Sequence, residues 1–349
     1  MESPRAYKIL AKFNNRLLST FLKRRIVENT MKAVFLDFAT VDTNDLDPSP
    51  LTDVLPDLTF FDVTPTELVT KRIQDAEFVF TNKIRLDQAI LSHAKSLRFI
   101  GITATGTDNI DLSSADKHGI AVYNIRAYCT QSVVEYVFGV LLYFTHNIGR
   151  FVQTVKLGEW QNSNNFCMLK YPIRELSSMT LGLVGHGELG RGVEKIAQEF
   201  GMTVLIARRP GTSAKHDDGR TDFREMLRRA DVISLHCPLT DNTRDLIGEE
   251  EFRLMKPDAI LINTARGGLI DSTAMAAALR NGEIGAAAVD VLPQEPPTDG
   301  NPLLDYDGLN LILTPHVAWA TIEARQNAIN QLAANVATFL KGGEKNRVL

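Results

Sequence analysis

The sequence is poor in cysteine, with three in 349 residues, and in tryptophan, with two. Cys129, Cys167 and Cys237 are odd in number and widely spaced. They make neither a disulfide framework nor a zinc-ligand pattern, so a reducing compartment is expected, the cytoplasm, and no metal. No apolar run approaches the roughly 20 residues of a membrane helix, so no membrane partner is expected. Net charge is small, −4 from 38 basic and 42 acidic residues. Neutralising phosphates needs clustered Lys and Arg, so no nucleic-acid partner is expected. What remains is 44% hydrophobic and 23% charged, the balance of an ordinary folded protein. At roughly 150 residues per domain, the length predicts about two domains.

Residues 1–30 stand apart, with seven basic residues against two acidic ones, a balance of +5 that leaves −9 for residues 31–349. A transit peptide directing organellar import would look like this. The plainer reading is a surface helix or an early start codon. It is favoured because the segment is Ser-poor and lacks a clear cleavage site. Met31 opens a run, MKAVFLDF, that reads as the start of a domain.

From there short apolar runs alternate with helix-length segments: 34–38, 59–63, 77–82, 97–103 and 120–124. Strand, helix, strand implies a parallel sheet, and five such strands suit a small flavodoxin-like layered domain. A long apolar-rich helix is expected over 131–150, with Thr130 as its N-cap. Alternation resumes at 181–185, 203–207, 231–236, 259–264, 286–292 and 311–316, a second parallel sheet, and 320–341 reads as a closing helix.

Gly185-His186-Gly187-Glu188-Leu189-Gly190 fits G-x-G-x-x-G, between a strand and an amphipathic helix. In that context Gly185 allows the tight turn, Gly187 lets backbone approach a pyrophosphate, and Gly190 permits close helix–strand packing. The helix N-terminus would offer N–H groups to phosphate. An ordinary tight βα turn is the alternative. The following strand ends at Ala207-Arg208-Arg209-Pro210, where an NAD enzyme usually carries Asp or Glu for the ribose 2′-OH. Two arginines there suit a 2′-phosphate, so NADP(H) is expected over NAD(H). Solvated arginines indifferent to that phosphate are the competing explanation.

In open parallel sheets chemistry sits beyond the carboxyl ends of the strands. Arg266, Glu295 and His316 fall at three such ends. A guanidinium can grip a substrate carboxylate and polarise its carbonyl. An imidazolium can donate a proton to the developing alkoxide, with a carboxylate orienting its other nitrogen. By spacing alone each residue could equally be structural: an ion-pair partner, a loop carboxylate, a core histidine.

At these residues the sequence resembles the D-isomer-specific 2-hydroxyacid dehydrogenases. The matching stretches are ATGTDNIDL, LGLVGHGELG, SLHCPLTDNTRDLIG, LINTARGGLID, DVLPQEPP and TPHVAWAT, spread over about residues 99–325. Within the family it is most similar to glycerate dehydrogenases, also called hydroxypyruvate reductases. The resemblance implies an α/β fold of two doubly wound parallel-sheet domains. A Rossmann coenzyme domain (131–317) would be inserted in a flavodoxin-like substrate domain (31–130 and 318–349), with the active site in a cleft. It implies Arg266 as substrate anchor, Glu295 as His partner and His316 as acid/base. Backbone N–H groups of Ala104, Thr105 and Gly106 would bind the substrate carboxylate. Thr130 would lie near the cofactor, Cys237 and Pro238 beside the adenosine, Thr264 and Ala265 at the nicotinamide, and Asp290 on its carboxamide. Thr243 and Ala318 belong to the same cofactor-contacting set. It also implies a homodimer through the coenzyme domain, with residues 131–175 as the arm. Two departures stand out: Arg208 replaces an acidic residue, and His186 sits inside the turn.

The expected function is reduction of a small 2-oxo acid, hydroxypyruvate or glyoxylate, to the D-2-hydroxy acid by NAD(P)H. The alternatives are a broad 2-oxo acid reductase, a phosphoglycerate dehydrogenase, or a cofactor-sensing binding protein without turnover. The intact Arg266, Glu295 and His316 weigh against the last.

Overall fold

The computed structural model describes residues 31–209 and 219–349. The expectations for residues 1–30 therefore lie outside the described residues. The chain divides into two compact units, one reaching Tyr128 and including Ile322–Leu349, the other spanning Cys129–Thr321.

The first unit carries β1 (Ala33–Phe35), β2 (Leu58–Phe60), β3 (Phe78–Thr81), β4 (Phe99–Ile102) and β5 (Ala121–Tyr123). They form one parallel sheet in the order β2-β1-β3-β4-β5, the flavodoxin order. Every residue of β3 and β4 is buried, as expected of a parallel sheet covered on both faces. Helices α1 (Ser49–Val54), α2 (Thr66–Ile73), α3 (Gln88–Leu91) and α4 (Leu112–Lys117) connect the strands. Asp87 and Asp111 cap α3 and α4 through Ile90 and Ser114 N–H. One face packs Phe35, Phe78, Phe80, Phe99 and Tyr123 against residues that the closing helix supplies, such as Ile329, Leu332 and Val336.

The second unit opens with α5 (Thr130–Thr145) and α6 (Ile148–Lys156). The single helix expected over 131–150 is thus two, broken where Asn147 takes a left-handed conformation, φ 49°. Thr130 is the first helical residue, not the N-cap. Cys129 holds that position without a side-chain cap. The sheet is built from β6 (Thr180–Val184), β7 (Thr203–Ile206), β8 (Val232–Leu235), β9 (Ile260–Asn263), β10 (Ala286–Val289) and β11 (Leu311–Leu313). Its order is β11-β10-β9-β8-β6-β7, all parallel. Ala207 adds a parallel bridge to Thr221 beyond β7. Counting that bridge as the third strand gives the Rossmann order 3-2-1-4-5-6 with one further strand. Helices α7 (Glu188–Glu199), α8 (Phe223–Arg229), α9 (Glu249–Leu254) and α10 (Ser272–Asn281) cross between strands. Separate apolar cores fill the two faces of the sheet. The last helix, α11 (Ile322–Leu340), belongs to the first unit.

Candidate active site

Strand order within the second unit reverses beside β6, between β7 and β8, and the turn leaving β6 carries the glycines. Gly185 has φ 99°, and a Cβ there would lie 2.5 Å from the His236 carbonyl carbon and 2.6 Å from Cys237 N. Gly190 is pressed equally hard against Gly185 O. Only glycine lets α7 start this close to the two strand ends. Around Gly187, by contrast, an added Cβ would meet no atom within 4 Å. That open side faces the first turn of a 12-residue helix, whose leading N–H groups have no intrahelical acceptor. The turn therefore fits a dinucleotide pyrophosphate. Around it, Glu188 accepts from Thr130 Oγ1. His186 Nε2 lies 2.7 Å from Glu194 Oε2, so this imidazole is engaged with α7. Leu189 packs into the core beneath.

Arg208 follows the β7 end. Its Nη2 donates to Arg220 O at 3.1 Å, which braces the guanidinium beside the strand edge, and Arg209 next to it is exposed. Beyond β8, Thr243 Oγ1 donates to Pro238 O at 2.8 Å and accepts from Thr240 N at 2.7 Å, closing the turn that carries Cys237 and Pro238. Burial pushes the Cys237 thiol up to about 11, so it is no nucleophile.

Of the three polar residues, His316 and Glu295 are in direct contact, and Arg266 leaves a neighbouring strand. β9, β10 and β11 are neighbours, so Arg266, Glu295 and His316 leave the same edge of the sheet. His316 Nδ1 is 2.6 Å from Glu295 Oε2, and Glu295 Oε1 accepts from Leu292 N at 2.9 Å. The carboxylate is thus fixed by its own loop and fixes the ring in turn. Buried Asn263 orders the Arg266 segment: Nδ2 donates to Arg266 O at 2.9 Å and Oδ1 accepts from Ala265 N at 3.0 Å. Arg266 Nη1 also donates to Ala265 O at 2.8 Å. Gly267 lies against the Leu292–Pro293 backbone with no room for a Cβ. This absence of a side chain lets the arginine loop and the glutamate loop touch.

Asp290 is 1% exposed. Its Oδ1 accepts from Thr314 Oγ1 at 2.6 Å and Val317 N at 2.8 Å, and its Oδ2 from Ala318 N at 2.8 Å. Burial pushes its carboxyl above the usual range, while hydrogen bonds from Thr314, Ala318 and Val317 oppose that rise. The carboxylate expected on the cofactor carboxamide therefore also anchors the His316 loop. Ser132 Oγ donates to Ala318 O at 2.6 Å. Thr264 Oγ1 is buried without a partner at the β9 end, an unmet hydrogen-bonding group of the kind a bound ligand satisfies.

Sequence reasoning missed His236. Its Nε2 lies 2.8 Å from Ser234 Oγ, while Nδ1 is cut off from solvent and unpartnered. Burial pushes the imidazole down to about 4. The signal was its place at the end of β8, opposite the glycine turn. In the first unit, the loop after β4 turns its acceptors inward: Ile125 N donates to Ala104 O at 3.3 Å and Asn124 Nδ2 to Thr105 O at 2.7 Å. Thr105 Oγ1 donates to Ile125 O at 3.0 Å. The amides of Ala104, Thr105 and Gly106 donate to no group among the described residues. Among the described residues no cluster of His, Cys, Asp and Glu could hold a metal ion, and no helix is long and apolar enough to cross a membrane.

Residues 138–318 match the family model described as D-isomer specific 2-hydroxyacid dehydrogenase, NAD binding domain. The chain is 44% identical to the glycerate dehydrogenase of Methylorubrum extorquens, over 82% of this chain and 89% of that protein. It is 35% identical to the hydroxypyruvate reductase of Blautia hydrogenotrophica, over 91% of this chain and 99% of that one. Among solved structures it resembles D-lactate dehydrogenase from Aquifex aeolicus complexed with NAD and lactic acid: TM-score 0.77, 29% identity, 91% of this chain and 99% of that chain. The chain is therefore a nicotinamide-dependent oxidoreductase and belongs to the D-isomer-specific 2-hydroxyacid dehydrogenase family.

Proposed function

We propose that this enzyme reduces hydroxypyruvate or glyoxylate to D-glycerate or glycolate, with NADPH preferred to NADH and His316 as proton donor. The observation that carries the reading is the 2.6 Å contact of His316 with Glu295, at the sheet edge that also bears Arg266. Arg266 binds the substrate carboxylate and polarises the adjoining carbonyl. His316 donates its Nε2 proton to the alkoxide oxygen as it forms, while Glu295 holds Nδ1 and stabilises the cationic ring. When bound, the nicotinamide supplies the hydride. The first turn of α7 at Gly187 would hold the pyrophosphate, Thr264, Ala265 and Asp290 the nicotinamide end, and Cys237 and Pro238 the adenosine.

Arg208 and Arg209 support NADPH, because a guanidinium pairs with a 2′-phosphate where an acidic side chain would repel it. One charge-assisted contact is worth roughly 1.5–3 kcal/mol, or about 10–150-fold in preference. The test is kcat/KM for hydroxypyruvate and glyoxylate with each nicotinamide, in wild type, Arg208→Asp and His316→Ala. The expected results are an NADPH preference that Arg208→Asp abolishes, and a roughly 10²–10⁴-fold loss of kcat in His316→Ala. Equal use of both nicotinamides overturns the cofactor assignment. Near-normal turnover in His316→Ala overturns the proton donor.

A homodimer through the coenzyme domain is part of the same reading. It is supported by apolar side chains in and after α6 that face solvent in the single chain: Val152, Val155, Leu157, Phe166 at 91% exposure and Leu169 at 84%. Light scattering at a monomer mass would refute it. A reducing location, the cytoplasm, is supported by the three free cysteines.

A further inference from the structure

Two hydroxyls near His316, those of Tyr136 and Thr314, take no part in the chemistry described so far. Tyr136, on α5, places its hydroxyl 2.6 Å from Thr314 Oγ1, and Thr314 Oγ1 lies 2.6 Å from Asp290 Oδ1. The direction of these bonds follows from what each group can do. An ionised carboxylate only accepts, and a threonine hydroxyl has one proton. Thr314 therefore donates to Asp290, and Tyr136 must donate to Thr314. Burial pushes the Tyr136 hydroxyl up, which keeps it a donor at every working pH. Asp290 spreads the hold onward: its side chain receives Val317 N and Ala318 N, and its carbonyl receives His316 N at 2.7 Å. Trp319 Nε1 closes the other side, donating to His316 O at 2.9 Å.

All this surrounds a residue with an unfavourable backbone. His316 has φ 57°. The left-handed region is sparsely populated for a residue with a side chain, and such conformations persist only where their surroundings over-determine them. Thr314, two residues ahead, and Val317–Ala318, just behind, are tied to the same carboxylate. That carboxylate is therefore the clamp, and Thr314 and Tyr136 load it.

We propose that Tyr136 and Thr314 are positioning residues for proton transfer: their relay onto Asp290 locks the 314–318 backbone and so aims the His316 ring. This rests on His316 being the proton donor. The relay carries no proton to substrate and touches no reacting atom; its effect passes through the backbone that bears the imidazole. A displacement of about 1 Å at a reacting group can lower rate by 10²-fold, so a partial release should fall short of that.

The experiment compares Thr314→Val, Thr314→Ser and Tyr136→Phe with wild type and with His316→Asn. It measures kcat and KM for hydroxypyruvate, the Kd of NADPH by fluorescence, and the solvent deuterium isotope effect on kcat. Thr314→Val should lower kcat about tenfold, with KM and Kd within threefold, and should raise the isotope effect as proton transfer becomes slower. Thr314→Ser, which keeps the hydroxyl, should return to within threefold of wild type, and Tyr136→Phe should lose about threefold to fivefold. Unchanged kcat and isotope effect in Thr314→Val overturns the proposal, as does a Thr314→Ser variant as impaired as the valine. Should the valine variant fail to fold, Tyr136→Phe with wild-type kcat overturns it instead. Full activity in His316→Asn would sink the underlying assignment; collapse of His316→Asn beside normal Tyr136→Phe and Thr314→Val would sink only the relay.

Discussion

Substituting alanine for Gly267 tests the contact on which the candidate site depends. A Cβ at Gly267 would run into the Leu292 carbonyl and Pro293 N, both backbone, at separations far inside van der Waals contact. Carbon atoms prefer roughly 3.5–4.0 Å, so one loop must retreat by more than about 1 Å. Backbone cannot step aside as the tip of a flexible side chain can. Overpacking of this kind costs about 1–3 kcal/mol, which for a unit of this size lowers Tm by roughly 2–12 °C. The effect on turnover should be larger than the effect on stability. Leu292 N donates to Glu295 Oε1, so the peptide that must move is tied to the carboxylate orienting His316. A loss of about 10²-fold in kcat/KM for hydroxypyruvate is expected from displacement on this scale. The assays are steady-state kinetics and thermal unfolding, with Gly282→Ser as a glycine control outside the site. Wild-type kcat/KM in Gly267→Ala would refute the argument that two loops touching through a missing side chain hold the site together.

Gly187→Ala should behave in the opposite way: its Cβ would meet no protein atom, so Tm should stay within a few degrees while NADPH Kd rises at least tenfold, read by fluorescence titration. Glu295→Gln keeps the shape but removes the charge beside His316, and kcat should fall roughly tenfold or more with NADPH Kd unchanged. His236 is half-buried with Nδ1 cut off from solvent, and desolvation pushes it down to about 4, so it resists the proton that the unfolded chain accepts near 6.5. Between those values the unfolded state binds more protons, so His236 withdraws up to about 3 kcal/mol of stability as pH falls from 6.5 to 4. Urea titrations across that window should show the slope in wild type and lose it in His236→Asn; an identical slope in both would show that the imidazole is not held neutral.

Much of the fold was legible because its signals are local. Each strand of β3, β4, β8, β9 and β10 is a short apolar run that the structure buries completely, and a parallel sheet demands such continuous runs. The break between α5 and α6 has a local mark in the polar run Thr145-His146-Asn147, but α6 resumes directly after it, so periodicity alone reads the two helices as one. Thr130 has the composition of an N-cap, yet its hydroxyl reaches Glu188, 58 residues away. His186 is engaged by Glu194 eight residues on, a partner no motif names.

The sequence alone marks the glycine turn, because its pattern lies within six consecutive residues between an apolar run and an amphipathic segment, while the close approach of Gly185 to His236 and Cys237 is tertiary. Which polar side chains meet is a relation among loops dozens of residues apart, and only the tertiary structure decides it. Strand order places the ends of β9, β10 and β11 side by side, Gly267 lets two of their loops touch, and Asp290 binds the third. A residue's type states what chemistry it can do. Its distance to a partner depends on packing across the whole sheet, which no local pattern encodes.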